Sequence, residues 1–191
     1  MKTPKVFCIG FHKTGTTSMH WALHRLGYRV ASCYGDALNQ VDTKILTDIA
    51  DKRLKCFDAF EDQPWPVLYK YLDVKCPGSK FILTVRDSRS WLGSMERQFR
   101  SRCICLHEYI YQVKSVRGNQ DAYVARFERH NAEVTDYFRL RPNDLLSLDL
   151  SHGNTWEKIC GFLNIHTIPT KPFPHANKRL CGQALPWFKG L

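Results

Sequence analysis

The chain alternates short apolar runs with segments whose apolar residues recur at helical spacing. Val6 to Ile9 is the first run. Behind Gly15, residues Met19, Ala22, Leu23 and Leu26 fall at i, i+3, i+4 and i+7, which predicts an amphipathic helix. Tyr28 to Ser32 reads as a second strand. Thr43 to Lys52 reads as a helix with Ile45, Leu46 and Ile49 on one face, and Cys56 to Phe60 as a third strand. Val67 to Leu72 forms a short helix behind Pro64 and Pro66. Phe81 to Val85 is a further strand. Leu92, Met95 and Phe99 give the next helix its apolar stripe, with Ser88 as the expected N-cap. Ile104 to Ser115 and Gln120 to Arg139 read as helices, Asp144 to Leu148 as a strand and Trp156 to Leu163 as a helix. From His166 onward Pro169, Pro172, Pro174 and Pro186 predict an extended tail.

Strands alternating with helices predict an α/β fold, a parallel sheet with helices on both faces. At 191 residues the chain suits a single domain over residues 1–191, with 166–191 as its tail.

The joints between these elements carry the chemistry. Val6 to Ile9 runs into Gly10-Phe11-His12-Lys13-Thr14-Gly15-Thr16-Thr17-Ser18, and the first helix follows at once. A glycine-bearing loop between a strand and a helix N-terminus aims backbone N–H groups at one spot. The helix dipole makes that spot positive. Lys13 adds a full charge and Thr16 and Thr17 add hydroxyl donors, so the loop is P-loop-like and suited to phosphate. It departs from G-x-x-x-x-G-K-[ST]: Gly10 and Gly15 keep the spacing, but Thr16 stands at the lysine position and Lys13 lies inside the loop. This argues against an ordinary ATPase or GTPase. The competing structural reading is a tight turn that needs its glycines only.

The second joint is Phe81-Ile82-Leu83-Thr84-Val85-Arg86-Asp87. Arg86 follows the carboxyl end of its strand, where ligands bind in open parallel sheets. A Mg²⁺-dependent NTPase usually carries an aspartate there. Arginine instead offers a rigid fork to a phosphate. Ser94 lies about two helical turns further on. The structural alternative pairs Arg86 with Asp87 or another acid and makes Ser94 a packing residue.

Together, and in this order, the two motifs resemble those of the sulfotransferases that use 3′-phosphoadenosine 5′-phosphosulfate (PAPS). The Gly10–Ser18 segment looks like their 5′-phosphosulfate loop, and Arg86 through Ser94 like their 3′-phosphate motif. The phrase from Phe81 to Asp87, with Trp91 and Ser94, is most similar to a branch of small soluble members. The resemblance implies that His12, Lys13, Thr14, Gly15, Thr16, Thr17, Ser18, Arg86 and Ser94 bind PAPS. It implies that Lys13 stabilises the departing phosphate oxygen. In cytosolic members the base is a histidine two residues before a proline. Here Asp62 stands two before Pro64 and is the candidate base, with Glu61 and His12 in reserve. The alternative for Asp62 is a helix cap near Pro64. A tryptophan that stacks on adenine elsewhere in the family is replaced by Ser18, and Trp21 lies one turn away. Family members often supply a late basic segment that closes over the 3′-phosphate, and Lys178 and Arg179 are the candidates here, although the usual Arg-Lys-Gly pattern is absent; the alternative is a solvated basic tail.

Composition narrows the partners. A net charge of +10 and a pI near 9.3 favour an anionic ligand such as PAPS. No basic tract or RNA-binding signature points to nucleic acid. No 18-residue apolar run predicts membrane insertion, and Met1-Lys2-Thr3-Pro4 enters the first strand without a signal peptide, so the expected location is cytoplasmic. The eight cysteines show no Cys-x-x-Cys, and no metal is expected; Cys103, Cys105 and His107 at alternate positions are the strongest alternative. Tyr109, Tyr111, Tyr123 and Phe127 either line an acceptor pocket or belong to the core. The expected acceptor is a small molecule or glycan bearing a hydroxyl or amine. Competing functions are a kinase or NTPase with a variant loop, and a nucleotide-binding relative without catalysis.

Overall fold

The computed structural model describes residues 4–33 and 38–176. Five strands form one sheet: β1 (Val6–Cys8), β2 (Val30–Ala31), β3 (Ala59–Phe60), β4 (Lys80–Val85) and β5 (Leu145–Asp149). They lie in the order β2-β3-β1-β4-β5, and every pairing is parallel. The helices between them are α1 (Thr16–Arg25), α2 (Thr43–Leu54), α3 (Tyr69–Lys75), α4 (Ser88–Phe99), α5 (Cys105–Tyr111), α6 (Gln120–Tyr137) and α7 (Thr155–Phe162). A 3₁₀ turn, Trp65–Leu68, leads into α3. The expected α/β architecture is therefore present.

Alternation along the strands divides the core. Phe7, Phe60, Phe81 and Leu83 pack with α2, α3, α4, α5 and α6 on one face. Val6, Cys8, Ala59, Ile82 and Leu148 pack with Met19 and Leu23 of α1 and Ile159 of α7 on the other. Successive strand side chains point to opposite faces, so near-continuous apolar strands serve two layers at once. β1 is central, with β3 on one side and β4 on the other, so the strand order reverses beside it; in open parallel sheets ligands bind at the carboxyl ends of the strands at such a point.

Several boundaries differ from expectation. The strands at Cys56–Phe60 and Tyr28–Ser32 shrink to two residues each, because only Ala59–Phe60 and Val30–Ala31 find ladder partners. α5 stops at Tyr111 because Gln112 turns left-handed (φ 58°). The N-cap of α4 is Asp87, whose carboxylate accepts from the Ser90 N–H at 2.8 Å, and not Ser88. The Ser88 hydroxyl donates to Glu128 instead. From His166 to Ala176 there is neither helix nor strand. Lys178 and Arg179 lie outside the described residues. No helix among the described residues is long and apolar enough to cross a membrane.

Of the four aromatics that could have lined a pocket or joined the core, three are core residues and the fourth packs against their cluster. Tyr111, Tyr123 and Phe127 are buried and Tyr109 half-buried. Tyr111 stacks on Tyr123 at 3.8 Å, and Phe127 stacks on Trp91 at 4.3 Å. Three histidines share this layer. Burial holds His107 and His130 at about 4, and His12 well below its ordinary range. The unfolded chain binds these protons near pH 6.5 and the folded chain does not, so stability falls as pH drops below 6.5. Each histidine contributes a loss of up to about 1.4 kcal/mol per pH unit. Buried Glu61, whose carboxyl is pushed upward by burial, acts in the opposite sense but is one group against three. Urea denaturation should therefore show a lower midpoint at pH 5 than at pH 7. His107→Gln should flatten that difference; equal midpoints at the two pH values would contradict the buried neutral histidines.

Candidate active site

The loop between β1 and α1 owes its shape to two glycines. A Cβ at Gly10 would lie 2.1 Å from the Thr84 hydroxyl oxygen and 2.3 Å from its carbonyl, so only glycine lets β1 leave the sheet beside β4. Gly15 has φ +102°, and a Cβ there would strike Leu150 at 2.4 Å. Gly15 is also the N-cap of α1 and supplies no side-chain cap. The first helical bond runs from the Met19 N–H to the Gly15 carbonyl. The amides of Thr16, Thr17 and Ser18 therefore precede the helical ladder, at the positive end of its dipole.

The loop is held from beneath. The Thr14 hydroxyl donates to the Phe11 carbonyl, and it lies 2.6 Å from that of Thr84. The Trp91 indole N–H of α4 donates to the His12 carbonyl at 2.9 Å. The His12 Nε2 and the Tyr111 hydroxyl of α5 are 2.9 Å apart. His12 is 4% exposed, and its imidazole faces the core.

Lys13 adopts a left-handed backbone (φ 67°), which turns its side chain out of the loop. Its ammonium donates to Gln98 of α4 at 3.1 Å. Partial burial lowers its pKa; the Asp62 carboxylate opposes this, while Arg86 and Arg97 push the same way as burial. Three ionic groups from three different elements thus converge on Lys13. Arg86, exposed just past β4, donates from Nη1 to the Lys13 carbonyl at 3.1 Å. This bond joins the two motifs read from the sequence. Arg86 forms no ion pair among the described residues, with Asp87 or with any other acid. Ser94 lies half-buried in the second turn of α4, between Arg86 and Gln98 along the helix.

Asp62 follows β3, also left-handed (φ 67°). Its Oδ2 accepts from the Thr16 hydroxyl at 3.1 Å and its Oδ1 from the Gln63 N–H at 2.9 Å. The turn at Trp65 takes Pro64 as its N-cap, with no side-chain cap, so Asp62 does not cap that helix. It instead stands against the start of α1, next to the loop. Glu61 is buried and bonded to His20 Nδ1 at 3.2 Å. Burial raises its pKa, while its bonds from His20 and Ser32 pull the other way.

Two features were missed in the sequence. A cavity of about 240 Å³ follows β5, lined by Leu150, Ser151, His152, Thr155, Phe173 and His175 among others. Leu150 is the residue against Gly15, and the Ala176 N–H donates to the Ser18 hydroxyl, so the cavity adjoins the loop. Trp21 is half-buried and packs edge-on against His20 and His24. The second feature is the support given by Trp91, Tyr111 and Thr84. A buried tryptophan or tyrosine needs a partner for its polar atom, but sequence alone does not say which. Cys103 and Cys105 are exposed and bond to the Ser101 and Asn39 carbonyls, whereas His107 is buried in the aromatic layer.

Fold and site together define a parallel α/β protein with a P-loop-like loop behind its first strand and an arginine behind β4. The family model described as Sulfotransferase domain matches residues 5–105 and 98–180. The chain belongs to this sulfotransferase family, whose domain is that of a transferase. It is also similar to a protein of Aspergillus versicolor named Ava biosynthesis cluster protein M. The two are 28% identical over 213 residues, which cover 90% of this chain and 80% of that relative.

Proposed function

We propose that the chain is a PAPS-dependent sulfotransferase of the cytoplasm that moves the sulfuryl group to a hydroxyl or amine acceptor. The observation that carries this reading is the bond from Arg86 to the Lys13 carbonyl, which brings two phosphate-type cation sites to one crevice. The donor set suits a nucleotide with phosphates at both ends of its ribose. Lys13, Thr16, Thr17 and the α1 amides would take the 5′ end; Arg86 and Ser94 would take the 3′-phosphate. The cavity behind β5 would receive the adenine, against Phe173 and His175.

In this reading the acceptor oxygen bonds to sulfur as the bond from sulfur to the 5′-phosphate oxygen breaks. The electron pair of that bond stays on the phosphate oxygen, where the Lys13 ammonium offsets its charge. The acceptor proton passes to the Asp62 carboxylate. Asp62 is suited to this by its place on the Lys13 side of the loop, held by Thr16 and the Gln63 amide. No metal is required by these steps.

Nucleotide choice tests the reading. The protein should bind 3′-phosphoadenosine 5′-phosphate more tightly than ADP, because ADP leaves the Arg86 fork without its phosphate. The loss of a charged hydrogen bond is about 1.5–3 kcal/mol, or roughly 10–150-fold in affinity. Arg86→Gln should reduce the difference toward unity. Equal affinities for the two nucleotides in calorimetry would overturn the assignment.

A further inference from the structure

α4 works as a ruler across the site. Its 12 residues span about 18 Å at the helical rise. Arg86 precedes its first turn, Ser94 lies in its second, and Gln98, next to Arg97, bonds Lys13 near its end. The proposed nucleotide occupies the Arg86 end. Beyond Lys13, at the other end, lies an open groove of about 500 Å³ lined by Gly93, Glu96, Arg97, Arg100, Arg117 and Gln120.

This groove carries an excess of positive charge, three arginines against one carboxylate. Arg97, Arg100 and Arg117 are all exposed, and none pairs with a carboxylate among the described residues. The one acid in the lining, Glu96, accepts from the Gln120 side-chain amide at 3.1 Å. The arrangement is built from two separate segments. The Arg117 N–H, between α5 and α6, donates to the Arg100 carbonyl at 3.0 Å, which ties the two arginine-bearing backbones together. Gly93 keeps the floor low: a Cβ there would come within 3.3 Å of an Arg97 guanidinium nitrogen. Three guanidinium groups around one groove, none of them ion-paired among the described residues, outweigh the single Glu96 carboxylate, and an added oxyanion relieves their mutual repulsion.

We infer that this groove receives an acidic group of the acceptor, so that the enzyme sulfates small hydroxylated acids in preference to neutral alcohols or phenols. The inference rests on the sulfotransferase reading above. Arg97, next in sequence to the Gln98 that bonds Lys13, would hold the acid nearest the reacting centre; Arg100 and Arg117 would extend the site outward. Acids long enough to reach past Lys13 while presenting their hydroxyl to Asp62 fit this layout.

The test is a binding measurement, so it does not wait on turnover. Small phenols and alcohols matched as free acid and methyl ester are titrated by calorimetry into the protein saturated with 3′-phosphoadenosine 5′-phosphate. Hydroxyphenyl carboxylates of increasing chain length and their esters supply the pairs. The best acids should bind at least tenfold more tightly than their esters at low salt. This ratio should fall toward one in the R100Q/R117Q double variant and in high salt, where exposed charges are screened. Nucleotide affinity should be unchanged in that variant, since neither arginine belongs to the proposed nucleotide site. Equal binding of acids and esters by the wild type, or a ratio that survives R100Q/R117Q, overturns the inference. A sulfated glycan fragment that binds a hundredfold tighter than every small acid, through the same arginines, would overturn the small-molecule assignment. Failure of 3′-phosphoadenosine 5′-phosphate to bind would instead remove the sulfotransferase reading, and the acid-to-ester ratio could still be read on the nucleotide-free protein.

Discussion

Lys13→Met should lower kcat by about 10²–10³-fold, the range for removing one donor from a site of developing negative charge. Methionine keeps length and apolar stem but not charge, so the loss reports electrostatics more than packing. Charge on the phosphate oxygen grows as the bond to sulfur breaks, so the ammonium matters more in the transition state than in the ground state. Nucleotide affinity should therefore fall far less than kcat. The substitution costs little in the fold, because the Gln98 amide that loses its partner is exposed and water can replace the bond. Rates are measured by ³⁵S transfer from labelled PAPS to the best acceptor found in a screen. A variant that altered KM and left kcat intact would end the leaving-group role.

The same residue predicts a pH dependence. Partial burial lowers the Lys13 pKa below that of an ordinary lysine. The charged form is the active one, so kcat/KM of the free enzyme should decline with rising pH before an ordinary lysine titrates. Bound phosphates favour the ammonium, so kcat itself should decline later. Coincident alkaline limbs would speak against Lys13 as the group responsible.

The sequence made the two phosphate-type joints readable because both are local. Each is an apolar run, a break in the pattern, and a helix, and the residues that matter lie within nine positions of one another. Their meeting in space was not readable. It depends on β1 and β4 being neighbours, a pairing that inserts β1 between the consecutive strands β3 and β4, both far from it in sequence. The cap of α4 was misassigned because Asp87 and Ser88 are both good capping residues, and only geometry chooses between them. The aromatics of α5 and α6 were ambiguous for a similar reason. Periodicity says that Tyr111, Tyr123 and Phe127 share an interior face, not whether that interior is core or pocket. His12 shows the reverse error. Its place in the loop suggested ligand contact, but the backbone turns the imidazole inward to Tyr111. The arginine groove left half a signal: Arg97 and Arg100 stand at i, i+3, but Arg117 joins them through a loop that no spacing rule covers.

Asp62→Asn is the sharpest test of the acceptor side, and transfer should fall by about 10²–10⁴-fold, the range for loss of a general base. The structure makes this substitution unusually clean. Asp62 sits at φ 67°, a region where asparagine is as well tolerated as aspartate. An amide oxygen can still accept from the Thr16 hydroxyl or the Gln63 N–H, so the turn after β3 should hold. Nucleotide affinity should stay within a few-fold of wild type, because asparagine can keep the Thr16 bond and the proposed 3′-phosphate site does not include Asp62. What asparagine cannot do is take the acceptor proton. The loss should therefore appear in kcat, with the unfolding midpoint and the preference for 3′-phosphoadenosine 5′-phosphate over ADP retained. Glu61 provides the control. It is buried and bonded to His20, so Glu61→Gln should lower stability before it lowers chemistry. A folded Asp62→Asn protein with near-normal turnover would remove Asp62 from the mechanism, and a kcat loss confined to Glu61→Gln would move the base one residue back.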